Sequence, residues 1–232
     1  MFPIRDENPT RITPWVTLGL IAVNILVFFV VQQQGSLDEQ GDLLYKRAAI
    51  ACEVTTRAPL SRVEIVSGTC QDDAQTPEFP NKKVFLAIFT SMFLHGSVAH
   101  VLLNMWFLWI FGNNVEDAYG HFRYLGFYLV GGIVATLAFL FFNAESTIPL
   151  VGASGAIAVA LGSYAVLFPG HRVLSLVGWI PVRVPAVLFL AIWFLVQFGV
   201  GDTAVAWEAH VGGFVVGALV TLLFRRRLLA RV

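Results

Sequence analysis

Charged residues are scarce in this sequence, and long stretches of it have none. Asp, Glu, Lys and Arg make up 13% of the 232 residues, about half the ~25% that is usual in soluble domains. The uncharged stretches cover residues 12–37, 84–115, 124–144, 146–171, 184–201 and 209–224. Because about 17–25 apolar residues span a bilayer as a helix, this pattern excludes an ordinary soluble domain. It indicates an integral membrane protein in contact with the lipid bilayer.

Other absences narrow the class of function. No basic run with interleaved aromatic residues is present, so we expect no nucleic-acid partner. A transporter or proton pathway, with His100 and His210 as relay groups, is disfavoured because the sequence shows no inverted repeat. The zinc motif His-Glu-x-x-His is also missing, and His100, Asn104 and His210 lack carboxylate or thiolate partners that would complete a ligand set. We therefore expect neither a metal nor a cofactor.

The apolar stretches predict an all-α membrane protein with six transmembrane helices. We place these helices at 13–33, 97–113, 122–142, 154–169, 184–200 and 207–224. The first stretch is longer than the apolar region of a signal peptide, about 7–15 residues, and no small-residue cleavage site follows it. The predicted organisation is therefore an N-terminal tail at 1–12, a membrane domain at 13–224 with an external insertion at 34–83, and a basic tail at 225–232.

The charges that remain are divided between the two sides of this bundle. The side that holds both termini carries Arg5, Arg11, Arg123, Arg172, Arg183, Arg225, Arg226, Arg227 and Arg231. The other side carries mainly acids, among them Asp38, Glu39, Asp42, Glu53, Glu64, Glu78, Glu145 and Glu208. The positive-inside rule then places both termini in the cytoplasm. Lys82 and Lys83 run against it from a long loop, where the rule is weak.

The external insertion holds both cysteines of the chain, Cys52 and Cys70. Disulfides persist outside the cytoplasm, so a bridge between them and a pair of free thiols are both open. Within the insertion, Leu43–Arg57 is a candidate short helix.

Two membrane segments depart from simple spans. The uncharged stretch 84–112 is too long for one ordinary helix, and His95-Gly96-Ser97 predicts a break between an embedded piece, Val84–Leu94, and a helix that begins near Ser97. Ser154 to Phe168 spans only about 22 Å at 1.5 Å per residue, against a hydrocarbon core of about 30 Å. We therefore expect 148–153 to descend as irregular backbone into a water-accessible cavity with Ser154 at its floor.

Ser154 and His210 are polar residues inside apolar runs, where such groups indicate function. Ser154 begins a helix, where free N–H groups and the positive dipole end favour an oxyanion, and Gly152 and Gly155 permit a sharp turn. Small-residue helix packing is the alternative explanation of Gly-x-Ser-Gly.

His210 shares one helix face with two glycines. Gly213 and Gly217 follow it at i+3 and i+7, and the serine helix offers matching small residues at Ala158, Gly162 and Ala165. Close packing of the two helices would bring His210 within reach of the serine as its base. A histidine that only bonds a neighbouring helix is the alternative.

His100 and Asn104 lie at i and i+4 on another helix, and both can donate hydrogen bonds to an oxyanion. Interhelical hydrogen bonding is the alternative role for this pair. His95 is a further, lower-ranked candidate for the same site. No acid completes a triad, because Asp202 is in a loop and Glu208 faces away from the histidine.

These motifs, taken in order, resemble those of the rhomboid family of intramembrane serine proteases. The resemblance runs from about Thr90 to Gly217. It rests on Thr90–Gly96, His100–Met105, Gly112–Glu116, Gly152–Gly155 and Ala209–Gly213 followed by Gly217.

The resemblance implies a six-helix rhomboid-like bundle with a partly embedded first loop within Leu43–Leu94. It implies a serine endopeptidase that cleaves single-span membrane proteins within or near the outer end of their transmembrane segment. Ser154 would be the nucleophile and His210 the general base, with His100 and Asn104 as oxyanion donors. One departure is Ala158, where some members have an aromatic residue that stacks on the histidine.

A non-proteolytic rhomboid-like protein that binds membrane clients is the alternative function, although the intact pair of Ser154 and His210 favours an enzyme. We expect the protein in a bacterial or archaeal cell membrane. The sequence does not indicate an oligomeric state.

Overall fold

A computed structural model describes residues 1–71, 76–199 and 205–232 of the chain. The first half contains β1 (Phe2–Asp6), α1 (Trp15–Gln32), α2 (Leu37–Arg47), α3 (Ala51–Thr56), α4 (Arg62–Ser67), α5 (Val84–Phe93) and α6 (Val98–Tyr119). The second half contains α7 (His121–Phe142), α8 (Ser154–Leu167), β2 (Arg172–Val177), β3 (Ile180–Pro185), α9 (Ala186–Gln197) and α10 (Trp207–Leu229).

Four of these helices, α1, α6, α7 and α10, are long and apolar enough to cross a membrane. The apolar helices α5, α8 and α9 are shorter. Large apolar side chains on the bundle surface, such as Trp109, Phe141 and Leu223, are exposed, as expected where lipid covers them. The chain is thus an integral membrane protein, and the count of six spans stays a prediction.

The break predicted between α5 and α6 is present. The Ser97 hydroxyl accepts a hydrogen bond from the His100 N–H at 3.1 Å and caps α6. Capping starts a new helix here because it satisfies an N–H group that has no partner within the helix.

The predicted end of the second helix at residue 113 is wrong, because α6 continues to Tyr119. Its last turns include Glu116, which is fully buried and accepts hydrogen bonds from the backbone N–H groups of Val16 at 2.9 Å and Thr17 at 2.7 Å. These are free N–H groups in the first turn of α1. Glu116, a charged residue of a kind expected in a loop, therefore caps the neighbouring helix α1.

The fold is mostly helical, as predicted, but it also contains strands. A three-stranded antiparallel sheet of order β1-β2-β3 joins the N-terminal tail to the segment after α8. Residues 172–184 alternate partly between apolar and polar side chains, with Val173 and Val184 buried, and Gly178 turns the hairpin at φ +61°. This alternation is a strand signal, and it lies in the segment between the fourth and fifth predicted helices.

Both ends of the chain lie at the same end of the bundle. Asp6 accepts hydrogen bonds from the Asn114 amide at 2.6 Å and the Tyr164 hydroxyl at 3.0 Å. Near the other terminus, the Arg231 guanidinium donates to the Tyr119 carbonyl at 2.9 Å. An even number of membrane spans places both termini on one side of the membrane, and the positions of the two chain ends agree with this.

The external insertion folds into α2, α3 and α4. The single helix expected over Leu43–Arg57 is instead two helices, because Ala49 between them pairs with Leu150 as an isolated antiparallel bridge. Lys82 forms a buried ion pair with Glu53, so its charge is neutralised and does not bear on sidedness. Burial raises the pKa of Glu53 and lowers that of Lys82.

Cys52 and Cys70 form a disulfide across a sequence separation of 18 residues. We expect the double variant Cys52→Ala/Cys70→Ala to lose about 3 kcal/mol of unfolding free energy, the usual contribution for a loop of this size. Thermal unfolding in detergent, with and without reductant, measures this loss. Reductant should lower the Tm of the wild type and leave the variant unchanged. An unchanged wild-type Tm, with both thiols shown to be alkylated after reduction, contradicts the expectation.

Candidate active site

Ser154 is the first residue of α8 and is partly exposed. Gly152, two residues earlier, has φ +128°, a conformation that favours glycine. A Cβ atom added at Gly152 would lie 2.8 Å from His100 Nε2 and 3.4 Å from Ser154 Oγ. Glycine therefore leaves a space that the ring of His100 and the hydroxyl of Ser154 both border.

Irregular backbone leads into Ser154, as predicted, and three separate parts of the chain hold it. The Leu150 N–H donates to the Ala49 carbonyl at 2.8 Å, and the Gly152 N–H donates to the Ser91 carbonyl at 3.0 Å. The Ala153 N–H contacts His95 Nε2 at 3.5 Å. Residues far from the turn in sequence therefore hold the backbone that presents Ser154.

His95 supports this turn. Its ring is 1% exposed, and the Gln32 side chain bonds both the backbone N–H and the carbonyl of His95 at 2.9 Å. The sequence made His95 a lower-ranked candidate for the site, next to the break at 95–97.

The helices α8 and α10 pack backbone to backbone. A Cβ added at Gly217 would lie 2.0 Å from the Val159 carbonyl oxygen, and one at Gly162 would lie 2.1 Å from that of Phe214. At Gly213 the corresponding distance to the Gly155 carbonyl oxygen is 2.3 Å. The glycine faces that the sequence showed on both helices therefore meet, as expected for small residues in a membrane bundle.

His210 lies in the first turns of α10, beside the start of α8. Its neighbour Ala209 is 3.8 Å from a Cβ added at Gly155. Within the described part of the chain, no hydrogen bond joins the Ser154 hydroxyl to the His210 ring. The two residues thus occupy adjacent helix ends without a direct hydrogen bond.

The surroundings of His210 come from α9. Its Nδ1 lies 2.7 Å from Gln197 Oε1, and the Trp193 ring lies 6.0 Å away, centroid to centroid, at a tilt of 36°. Glu208 accepts a hydrogen bond from the Asn143 amide at 2.9 Å. Asp202, the other acid considered, lies outside the described residues. Gln197 could not be identified from the sequence, because one glutamine near a helix end fits no catalytic motif.

His100 and Asn104 occupy one face of α6. His100 Nδ1 accepts a hydrogen bond from the Gly96 N–H at 3.4 Å, so in the neutral ring Nε2 carries the hydrogen. Asn104 is buried, and its side-chain nitrogen has no hydrogen-bond partner among the described residues. Both side chains therefore have a donor to offer a ligand.

A cavity lies at the predicted place and is small. Its volume is about 10 Å³, and Gly152, Ser154, Gly155, Ser91, Gly132 and Ala209 are among its lining residues. That volume holds roughly one water molecule.

Cys52, Glu64 and Cys70 place their potential metal-ligand atoms within 4.8 Å of one another. Both sulfur atoms belong to the disulfide, whereas the thiolate is the form that binds a metal. We assign no metal to this group.

Comparison with known proteins identifies one family. The family model of the Rhomboid domain matches residues 82–227, which include Ser154, His210, His100 and Asn104. The match covers more than half of the chain.

Among similar proteins is the mitochondrial presenilin-associated rhomboid-like protein A of Danio rerio, 30% identical over 57% of this chain and 36% of its own length. Rhomboid protease GluP of Bacillus subtilis is 32% identical over 56% of this chain and 24% of its own. Rhomboid protease AarA of Providencia stuartii is 28% identical over 58% of this chain and 54% of its own. The chain thus spans a quarter to about half of the length of these relatives.

Proposed function

Because the chain belongs to the rhomboid family, we propose that it is an intramembrane serine endopeptidase. It cleaves single-span membrane proteins within or near the outer end of their transmembrane segment. The observation that carries this proposal is the space beside Gly152, where the Ser154 hydroxyl and His100 Nε2 both lie within 3.4 Å of one point. A nucleophile and an oxyanion donor that border one space are what acyl transfer requires.

Each residue then has a role. Ser154 Oγ attacks the scissile carbonyl, and His210 takes its proton and later gives a proton to the leaving amine. The hydrogen on His100 Nε2, the Asn104 amide and the Ser154 N–H donate to the oxyanion, where one such donor contributes about 2.7–4 kcal/mol. Gly213 and Gly217 bring the base helix close to the serine helix, and Gly152 and Gly155 shape the turn.

The substrate class follows from the position of the site. A transmembrane helix must unwind locally before its backbone reaches Ser154 at the start of α8, which favours cleavage near the outer end of the substrate. The positive-inside rule supports cytoplasmic termini, which are at the same end of the bundle. The relatives include mitochondrial and bacterial proteins and single out neither compartment, so a bacterial or archaeal cell membrane stays a prediction.

A second candidate is a rhomboid-like protein that binds membrane clients without cutting them. The absence of a hydrogen bond between the Ser154 hydroxyl and the His210 ring in the described structure favours it. The missing bond does not exclude an enzyme, because catalytic hydrogen bonds are often long until a substrate is present.

Labelling with a fluorophosphonate probe separates the two candidates. We expect the folded wild-type protein in detergent to be labelled at Ser154, because only an activated serine reacts. The matched control is Ser163→Ala, which removes a buried serine from the same helix and should leave labelling intact. Ser154→Ala should remove the label. A folded wild-type protein that takes up no label supports client binding and contradicts the enzyme.

A further inference from the structure

Helix α9 makes two contacts to the ring of His210. Gln197 is 7% exposed and places Oε1 at 2.7 Å from His210 Nδ1. Trp193 lies one turn earlier on the same face and packs its ring near the imidazole. The histidine is thus held by a buried amide and an aromatic side chain from one neighbouring helix.

The orientation of the Gln197 amide is fixed by a second hydrogen bond. Its Nε2 donates to the backbone carbonyl of Trp193 at 2.8 Å, and a carbonyl oxygen only accepts. Exchanging the amide nitrogen and oxygen would leave two acceptors facing each other, so Oε1 is the atom that faces His210.

The fixed amide in turn selects the tautomer of the histidine. An amide oxygen only accepts, so the Nδ1 of His210 carries the hydrogen of this bond. In the neutral ring Nε2 then has the free lone pair. A general base needs such a lone pair to take a proton from a serine hydroxyl.

We propose that Gln197 is a positioning residue, which holds His210 in the Nδ1–H tautomer and leaves Nε2 as the atom that accepts the Ser154 proton. The inference rests on the proposed proteolytic function. It gives Gln197 the orienting role that an acid has in a triad. With Trp193 it also replaces the aromatic contact that Ala158 cannot provide.

Two substitutions at Gln197 test the hydrogen bond. Gln197→Leu removes the acceptor at similar size, and we expect kcat to fall about 10- to 100-fold with little change in KM. That is the loss usual when the outer hydrogen-bond partner of a metal-ligating histidine is removed. Gln197→Glu keeps an acceptor oxygen for the Nδ1–H of His210 but gives up the hydrogen bond to the Trp193 carbonyl, so its kcat should lie clearly above that of Gln197→Leu and need not reach that of the wild type.

The matched control is Asn24→Leu. Asn24 is a fully buried amide that donates to the carbonyl of Leu20 four residues earlier at 2.8 Å, as Gln197 does to Trp193. The control removes a buried amide of the same kind far from His210. It should lower Tm by an amount similar to Gln197→Leu and leave kcat unchanged.

A spectroscopic measurement tests the tautomer without using activity. In protein labelled with ¹⁵N-histidine, with the His210 signals assigned by their loss in His210→Ala, the shifts should report hydrogen on Nδ1 in the wild type and in Gln197→Glu. Gln197→Leu should show a mixture of tautomers. Hydrogen on Nε2 in the wild type overturns the proposal, and so does an unchanged kcat in folded Gln197→Leu. If the wild type neither cleaves nor labels, the proteolytic function fails, whereas the shifts still decide the tautomer.

Discussion

Replacing Ser154 with alanine is expected to abolish cleavage of a single-span reporter in detergent, with a loss of at least about 10⁴-fold in rate. Losses of this size are usual when the nucleophile or base of a serine hydrolase is removed. His210→Ala should fall to a similar level, since the hydroxyl then has no base. Appearance of the cleaved fragment on a gel or by mass spectrometry measures the rate.

The double variant sharpens this test. Because nucleophile and base act on one proton, Ser154→Ala/His210→Ala should be no slower than either single variant. His171→Ala, which removes an exposed histidine just before β2, is the control and should keep full activity. Persistent cleavage by purified Ser154→Ala protein would overturn the assignment of the nucleophile.

The second large effect is expected at Gly217. An alanine there would place its Cβ 2.0 Å from the carbonyl oxygen of Val159, a backbone atom that cannot rotate away. The helices α8 and α10 must then separate. Overpacking typically costs about 1–3 kcal/mol and occasionally more, and a displacement of about 1 Å in an active site can cost about 10²-fold in rate. Gly217→Ala should therefore lower both Tm and reporter cleavage.

Gly126→Ala is the matched control for this prediction. Gly126 is also a helical glycine in the bundle, in α7, but nothing lies within 4 Å of a Cβ added there. The same chemical change should leave Tm and cleavage unchanged or raise Tm slightly, because alanine favours a helix over glycine. Equal behaviour of the two variants would show that close contact between α8 and α10 is not needed for the site.

The features that the sequence predicted correctly depend on local signals. Gly152 precedes Ser154 and permits the turn at which α8 begins, and Ser97 supplies a cap at the start of α6. The spacing of Gly213 and Gly217 identified the face on which α10 packs. Each of these signals is contained in a few consecutive turns of one helix, so pattern alone is enough to find it.

The features that the sequence did not reveal depend on partners far along the chain. Glu116 has the local sequence of a loop residue. Its role as a cap cannot be seen there, because it binds the N–H groups of Val16 and Thr17, about 100 residues earlier. Gln197 gained its place beside His210 only through the packing of α9 on α10. The alternation in β2 and β3 is only partial, so it does not predict strands by itself in a chain of such low charge.

The turn before Ser154 has a consequence for the order in which the protein matures. Its hydrogen bonds reach Ala49, Ser91 and His95, which are synthesised before it, whereas His210 on α10 is synthesised after it. A ribosome-bound chain that ends before α10 thus has its serine turn supported but lacks a base. Under the proposed mechanism, Ser154 therefore gains its base only when α10 packs against α8.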